Sequence, residues 1–133
     1  MWCVKNPEWF DTVVTSNMFG DILTDLAAMI QGGLGVAASG NLHPGRVSLF
    51  EPIHGSAPKY AGKNVANPLA TIMAVSMMLD YLGETRAARR IEDTVMALLR
   101  SRRVPSLGSD SGLSTTAIGD LVVEALEKAP VPA

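Results

Sequence analysis

The stretch PLATIMAVSMMLDYLG, Pro68 to Gly83, is apolar on nearly every side. Residues that start and stop helices bound it: Asn67 offers a side-chain cap, Pro68 suits the first helical position, and Gly83 suits the exit. A helix that is apolar all round is a buried one, so this stretch predicts a helix deep inside a domain. Its longest apolar run, LATIMAVSMML, has about eleven residues, well short of the roughly 20 that cross a bilayer. The remaining segments must therefore cover it. The chain has 133 residues, which suits one domain. Of these, 47% are hydrophobic, enough for a sizeable core.

Those other segments alternate in type. FDTVVTSN (Phe10 to Asn17) is short and β-branched and reads as a buried strand. In GDILTDLAAMIQGG, Ile22, Leu23, Leu26, Ala27 and Ile30 recur at helical spacing, and Gly32 and Gly33 stop the helix. LGVAASGNLHPGR is small, glycine-containing and irregular. VSLFE (Val47 to Glu51) reads as a second strand. HGSAPKYAGKNVANP, His54 to Pro68, is a long loop. ETRAARRIEDTVMALLRSRR is an amphipathic helix, with Ala88, Ile91, Val95 and Leu98 on one side and arginines facing water. VPSLGSDSGLS is a loop or short extended piece. TTAIGDLVVEALEKA is the last helix, with Ser114 as its cap and Ile118, Leu121, Val122 and Ala125 turned inward. There is no internal repeat or low-complexity tract. Strands alternating with helices predict an α/β fold.

Composition excludes several classes. The net charge is -2 and both signs are mixed along the chain, so there is no electrostatic footprint for nucleic acid. The single cysteine, Cys3, allows neither an intrachain disulfide nor a cysteine zinc site. A reducing cytoplasm is its simplest setting. The start, MWCVKNPEWFD, has no long apolar core and does not read as a signal peptide, and no segment reads as a membrane span. Cys3 and His43 read as structural. With few aromatics and a patterned segment beginning at once, the chain reads like a piece of a longer one.

Two constellations carry possible chemistry. Asp21 and Asp25, four apart on a helix, share one face. Two carboxylate ligands on one face make part of a Mg²⁺ or Mn²⁺ site. On spacing alone the blander reading is the stronger one: Asp21 as a first-turn anion favoured by the helix dipole, and Asp25 as a solvated carboxylate. The second constellation is the His54–Pro68 loop, which joins a strand end to a helix start, where ligands sit in α/β proteins. Gly55, Ser56 and Ala57 allow close approach to the backbone, free N–H groups near Asn67 would meet a phosphate, and Lys59 offers a point charge. Neither GxGxxG nor GxxxxGK[ST] is present. A solvated loop whose histidine caps a turn fits the spacing as well.

Taken together, the motifs are more specific. SNMFGDILTDLAA, GGLGVAASGN, FEPIHGSAPKYAGKNVANPLATI and MMLDYLG follow one another in an order and spacing similar to the C-terminal part of the isocitrate and isopropylmalate dehydrogenases, the metal-dependent β-decarboxylating dehydrogenases. LGSDSGLSTTAIGD resembles the family's last segment before the terminal helix. The resemblance covers nearly the whole chain, and it implies the C-terminal part of an isopropylmalate dehydrogenase-like α/β fold, which is not a Rossmann fold. It implies an enzyme that oxidises a 2-hydroxy dicarboxylate with NAD or NADP and Mg²⁺ or Mn²⁺, then removes the β-carboxylate as CO₂. By this resemblance Asp21 and Asp25 are metal ligands, and a third carboxylate comes from an upstream segment of the partner subunit in a homodimer. His54, Gly55, Ser56, Ala57, Pro58, Lys59 and Tyr60, with Ala61, Gly62, Lys63, Asn64, Val65, Ala66 and Asn67, surround the cofactor's adenosine and phosphates.

The resemblance also implies what lies elsewhere. The family's catalytic tyrosine, catalytic lysine and substrate-binding arginines are upstream of Met1, so the 133 residues alone should be inactive. Residues 1–33 would be the tail of a central metal and dimer domain. Residues 34–133 would be the C-terminal half of a split cofactor domain, leaving the faces of VSLFE and LATIMAVSMML partly uncovered. The wording leans toward the isopropylmalate (leucine biosynthesis) and tartrate or malate branch rather than isocitrate. Lys59 and Tyr60 suit a 2′-phosphate, while the SDSGLS loop adds no arginine or tyrosine, so both cofactors should be accepted. The alternative is a non-catalytic regulatory or assembly paralogue, which would have no need of Asp21 and Asp25.

Overall fold

The computed structural model describes residues 1–108 and 111–128. Of the segments above, Ser109 and Asp110 in the 104–114 loop and Ala129 at the end of the last helix lie outside the described residues. The chain forms helix α1 (Trp2–Lys5), a 3₁₀ turn (Pro7–Trp9), helix α2 (Asn17–Ile30), strands β1 (Ala38–Asn41) and β2 (Leu49–Pro52), a second 3₁₀ turn (Pro58–Tyr60), and helices α3 (Leu69–Tyr81), α4 (Thr85–Arg100) and α5 (Thr115–Lys128). Helices and strands mix as the α/β reading requires. No helix among the described residues is long and apolar enough to cross a membrane.

Helices α3, α4 and α5 hold the core, in which Leu69, Val95, Leu98, Val104, Ile118 and Val122 pack together. Helix α4 contributes because its apolar residues recur on one face. Ala88, Val95 and Leu98 are buried, Ile91 is half-buried, and Arg86 and Arg89 are exposed. Helix α5 buries Ile118 and Val122 and half-buries Leu121 and Ala125. Its start is capped as expected: Ser114 Oγ accepts the Ala117 N–H at 3.1 Å. At the start of α3, Asn67 Oδ1 accepts the Leu69 N–H at 2.9 Å. Pro68 is the junction residue there, one position before the helix proper.

Helix α3 is less buried than its all-round apolarity predicts. Leu69, Ala70, Ala74 and Ser76 are buried, and α4, β1 and β2 all lie against this helix. Val75, Met77 and Tyr81 stay 40% exposed, without comparable cover from the described residues. Val47 and Leu49 are exposed as well, so the faces expected to be partly uncovered are partly exposed in this chain.

The strands depart from the sequence reading at two places. Phe10 to Ser16 is not a strand, Asn17 already belongs to α2, and Val14 is 95% exposed. β-branched residues fit a pleated surface, but a strand also needs a neighbour to take its N–H and C=O groups. No described residue pairs with this segment. Conversely, β1 lies in the segment read as irregular. It pairs antiparallel with β2, Ala38 opposite Pro52 and Gly40 opposite Phe50. Its small residues lack a strand signature because packing demands smallness: a Cβ on Gly40 would stand 3.2 Å from Met77 Sδ and 3.3 Å from the Phe50 ring. A lone hairpin is marginal in water, and this one leans on α3.

Candidate cofactor and metal sites

Strand β2 delivers the chain to His54, and residues 54–67 fold back to the start of α3. The reversal uses left-handed backbone at Gly55 (φ 64°), Ala57 (φ 41°), Gly62 (φ 73°) and Asn64 (φ 55°). Glycine and asparagine visit that region readily. Ala57 does not. Holding such a residue there costs of order 1–3 kcal/mol and requires surroundings that over-determine it. Those surroundings include Pro58, which opens the 3₁₀ turn, and the Tyr60 N–H, which donates to the Ala57 carbonyl at 2.9 Å.

The folded loop borders a cleft of about 550 Å³, a size typical of small-molecule sites. His54, Ala57, Pro58, Lys59, Tyr60, Val65, Ala66 and Asn67 line it. Gly55, Ser56, Ala61, Gly62, Lys63 and Asn64 complete the loop without lining the cleft. Where a side chain would stand on Gly55 or Gly62 there is open space, so a ligand can approach the backbone. His54 Nδ1 lies 2.7 Å from the Gly55 carbonyl. A carbonyl only accepts, so in this contact Nδ1 carries the proton. The Lys59 ammonium stands 4.8 Å from the centre of the Tyr60 ring, a cation over an aromatic face.

Three lining residues were not foreseen: Leu34, Gly35 and Leu107. The signal for Gly35 is in GGLG. A Cβ there would stand 2.6 Å from the Leu107 carbonyl oxygen, so glycine is required where this backbone passes the 104–108 segment. Gly35 also accepts the Ala70 N–H at 3.1 Å.

That last bond narrows one expectation, that free N–H groups near Asn67 would meet a phosphate. The Leu69 N–H is taken by Asn67 Oδ1, the Ala70 N–H by Gly35, and Pro68 has none. The helix start satisfies these donors internally because two polar groups already sit on it. Asn67 is committed at its other end too, donating from Nδ2 to the Leu107 carbonyl at 3.1 Å. Those two amides are therefore not free to meet an anion in the cleft.

Asp21 and Asp25 lie on α2, both exposed, and neither lines the cleft. Thr24 Oγ1 donates to the Asp21 backbone carbonyl at 3.0 Å, which leaves the carboxylate out of that contact. Among the described residues no group of three or more His, Cys, Asp or Glu side chains could hold a metal ion. The chemistry of the pair still suits Mg²⁺ or Mn²⁺, because such ions take one or two protein carboxylates and fill the rest with water and substrate oxygens. The pair alone would supply only part of such a donor set, and the structure does not bring it to the loop.

The sequence profile described as isocitrate/isopropylmalate dehydrogenase matches residues 1–122. An isocitrate/homoisocitrate dehydrogenase from Thermus thermophilus is 53% identical over 128 residues, covering 96% of this chain and 37% of that relative. A 3-isopropylmalate dehydrogenase from a Mycobacterium species is 50% identical over 122 residues, covering 90% of this chain and 34% of that relative. The crystal structure of an isocitrate dehydrogenase from Methylococcus capsulatus superposes with a TM-score of 0.86 at 46% identity, over 96% of this chain and 38% of the other. The chain thus spans about a third of the length of the curated relatives it matches.

Proposed function

Because the chain belongs to the isocitrate/isopropylmalate dehydrogenase family, we propose that it is the C-terminal part of an oxidative decarboxylase acting on a 2-hydroxy dicarboxylate. Two electrons and a proton leave the hydroxyl-bearing carbon as hydride, the hydroxyl gives up its proton, and the β-carboxylate then departs as CO₂, its bonding pair passing into an enol that takes a proton at carbon. When bound, NAD or NADP supplies the hydride acceptor and Mg²⁺ or Mn²⁺ supplies Lewis acidity at the substrate oxygen.

The chain's own residues bind and orient. Residues 54–67 hold the adenosine end of the cofactor, with His54 and Tyr60 offering polar groups and Lys59 a cation for phosphate. Asp21 and Asp25 hold the metal together with groups from the rest of the full-length protein, in which a second copy completes the site. Residues 1–33 belong with a metal and dimer domain and residues 34–133 with a cofactor domain. That division is supported by the sparse packing of residues 1–30 on the rest. One observation carries the reading: eight of the fourteen loop residues that the sequence motif singles out line one cleft.

The substrate is a matter of class. Relatives named for isocitrate/homoisocitrate and for 3-isopropylmalate stand at 53% and 50% identity. The motif wording favours 3-isopropylmalate or tartrate and malate. Full-length protein assayed with each of these acids, either cofactor and Mg²⁺ or Mn²⁺ should reduce the nicotinamide and release CO₂ with at least one. Asp21→Asn and Asp25→Asn should each raise the metal concentration needed. No turnover with any acid would overturn the reading in favour of a non-catalytic paralogue.

A further inference from the structure

The start of helix α5 has the problem common to helix starts: its first N–H groups have no carbonyl one turn earlier. Ser114 Oγ takes the Ala117 N–H. Two more of these donors, the Thr115 and Thr116 N–H groups, are taken by a single residue of the loop, Asn64. Its backbone carbonyl accepts the Thr115 N–H at 2.9 Å. Its Oδ1 accepts both the Thr116 N–H and the Thr116 hydroxyl, each at 3.1 Å. Next to it, the Thr115 hydroxyl donates to the Ala66 carbonyl at 2.5 Å. Asn64 and Thr116 are 52 positions apart in the chain. Asn64 can do this because it sits at φ 55°, a left-handed conformation that asparagine tolerates.

Asn64 itself does not line the cleft, whereas its neighbours Val65, Ala66 and Asn67 do. We propose that Asn64 is a positioning residue, a latch that fixes the cleft-lining end of the loop to the first turn of α5, so that cofactor affinity depends on that turn. The proposal rests on reading residues 54–67 as the cofactor loop. It gives Asn64 a role through its neighbours rather than by contact with the nucleotide. Coupling between two places is reciprocal, so bound cofactor must in turn steady the first turn of α5.

The test uses the full-length protein. Asn64→Gly keeps the left-handed backbone and its carbonyl and deletes only the side-chain acceptor. It should raise the Kd for the preferred nicotinamide cofactor about five- to tenfold. In the wild type, saturating cofactor should slow hydrogen exchange at the Thr115 and Thr116 amides, and in Asn64→Gly it should not. Thr116→Val, which removes one donor and keeps the Thr116 N–H, should shift the Kd in the same direction by less. If the wild type binds neither NAD nor NADP, the cofactor reading fails and the latch with it. If the wild type binds and Asn64→Gly binds equally well, Asn64 is a helix cap only and the proposal is overturned, even where the variant melts at a lower temperature. A fall in kcat at unchanged Kd overturns it too.

Discussion

Helices α2 and α4 carry apolar residues at the same spacing and meet different fates. On α4, Ala88, Val95 and Leu98 are 2–4% exposed. On α2, Ile22, Met29 and Ile30 are 42–62% exposed, and Ala28 is its one buried residue. The two regions differ in what surrounds each helix. Helix α4 lies between α3 and α5. Around α2 the described chain offers α1, and the nearby Trp2 and Trp9 stack on each other. Apolar periodicity says that a helix has a face to bury and is silent about what covers it. The same contrast separates the two candidate sites. The 54–67 loop rests on packed elements and is shaped within this chain, whereas the Asp21 and Asp25 pair stands on an uncovered helix without a third acidic neighbour among the described residues.

The largest expected effect exploits that contrast. In the 133-residue chain, Leu98→Ala should cost about 2–5 kcal/mol of unfolding free energy, since it opens a cavity in the core. Ile22→Ala should change stability by no more than about 0.5 kcal/mol, as exposed positions do. Urea denaturation of both variants measures the difference. Equal losses would show that α2 is as well packed as α4 and would remove the contrast.

A smaller effect lies within the packed region. Glu124 holds Lys128 and Arg103, the latter at 3.2 Å. The Lys128 hydrogen bond, then that of Arg103, with their charges, lowers the Glu124 carboxyl below its ordinary value. A lowered folded-state value means the stabilisation is present above the unfolded carboxylate range and is lost as pH falls through the folded value. The pair is exposed, so solvent screens it and the effect is small. The melting-temperature gap between wild type and Glu124→Gln should therefore be slight at neutral pH and close in acid. A gap that persists in acid would assign it to packing instead.

The sequence made some of this legible and hid the rest for physical reasons. Helices α3, α4 and α5 were readable because capping residues and apolar spacing are local: Asn67 and Ser114 cap where the sequence places them. Strand β1 was hidden because Gly40 is chosen for closeness to Met77 and Phe50, which no local signal records. The Phe10–Asn17 segment has strand composition without a strand, because pairing needs a partner. At the loop, the residue types were readable and their commitments were not. Asn64 and Asn67 look like ligand groups, yet Asn64 Oδ1 joins α5 while Asn67 joins α3 and Leu107. Gly35 and Leu107 reach the cleft from distant segments, so only the fold reveals them.

The proposed role of residues 54–67 is to hold the nicotinamide cofactor, with Lys59 facing its phosphate-bearing end. The direct measurement is kcat/KM for NADP and for NAD on full-length wild type and Lys59→Asp. One charge-assisted contact contributes about 1.5–3 kcal/mol, so the substitution should lower the NADP/NAD ratio roughly ten- to hundredfold, mainly by weakening NADP. A ratio that does not move would take Lys59 out of the cofactor site and contradict the account.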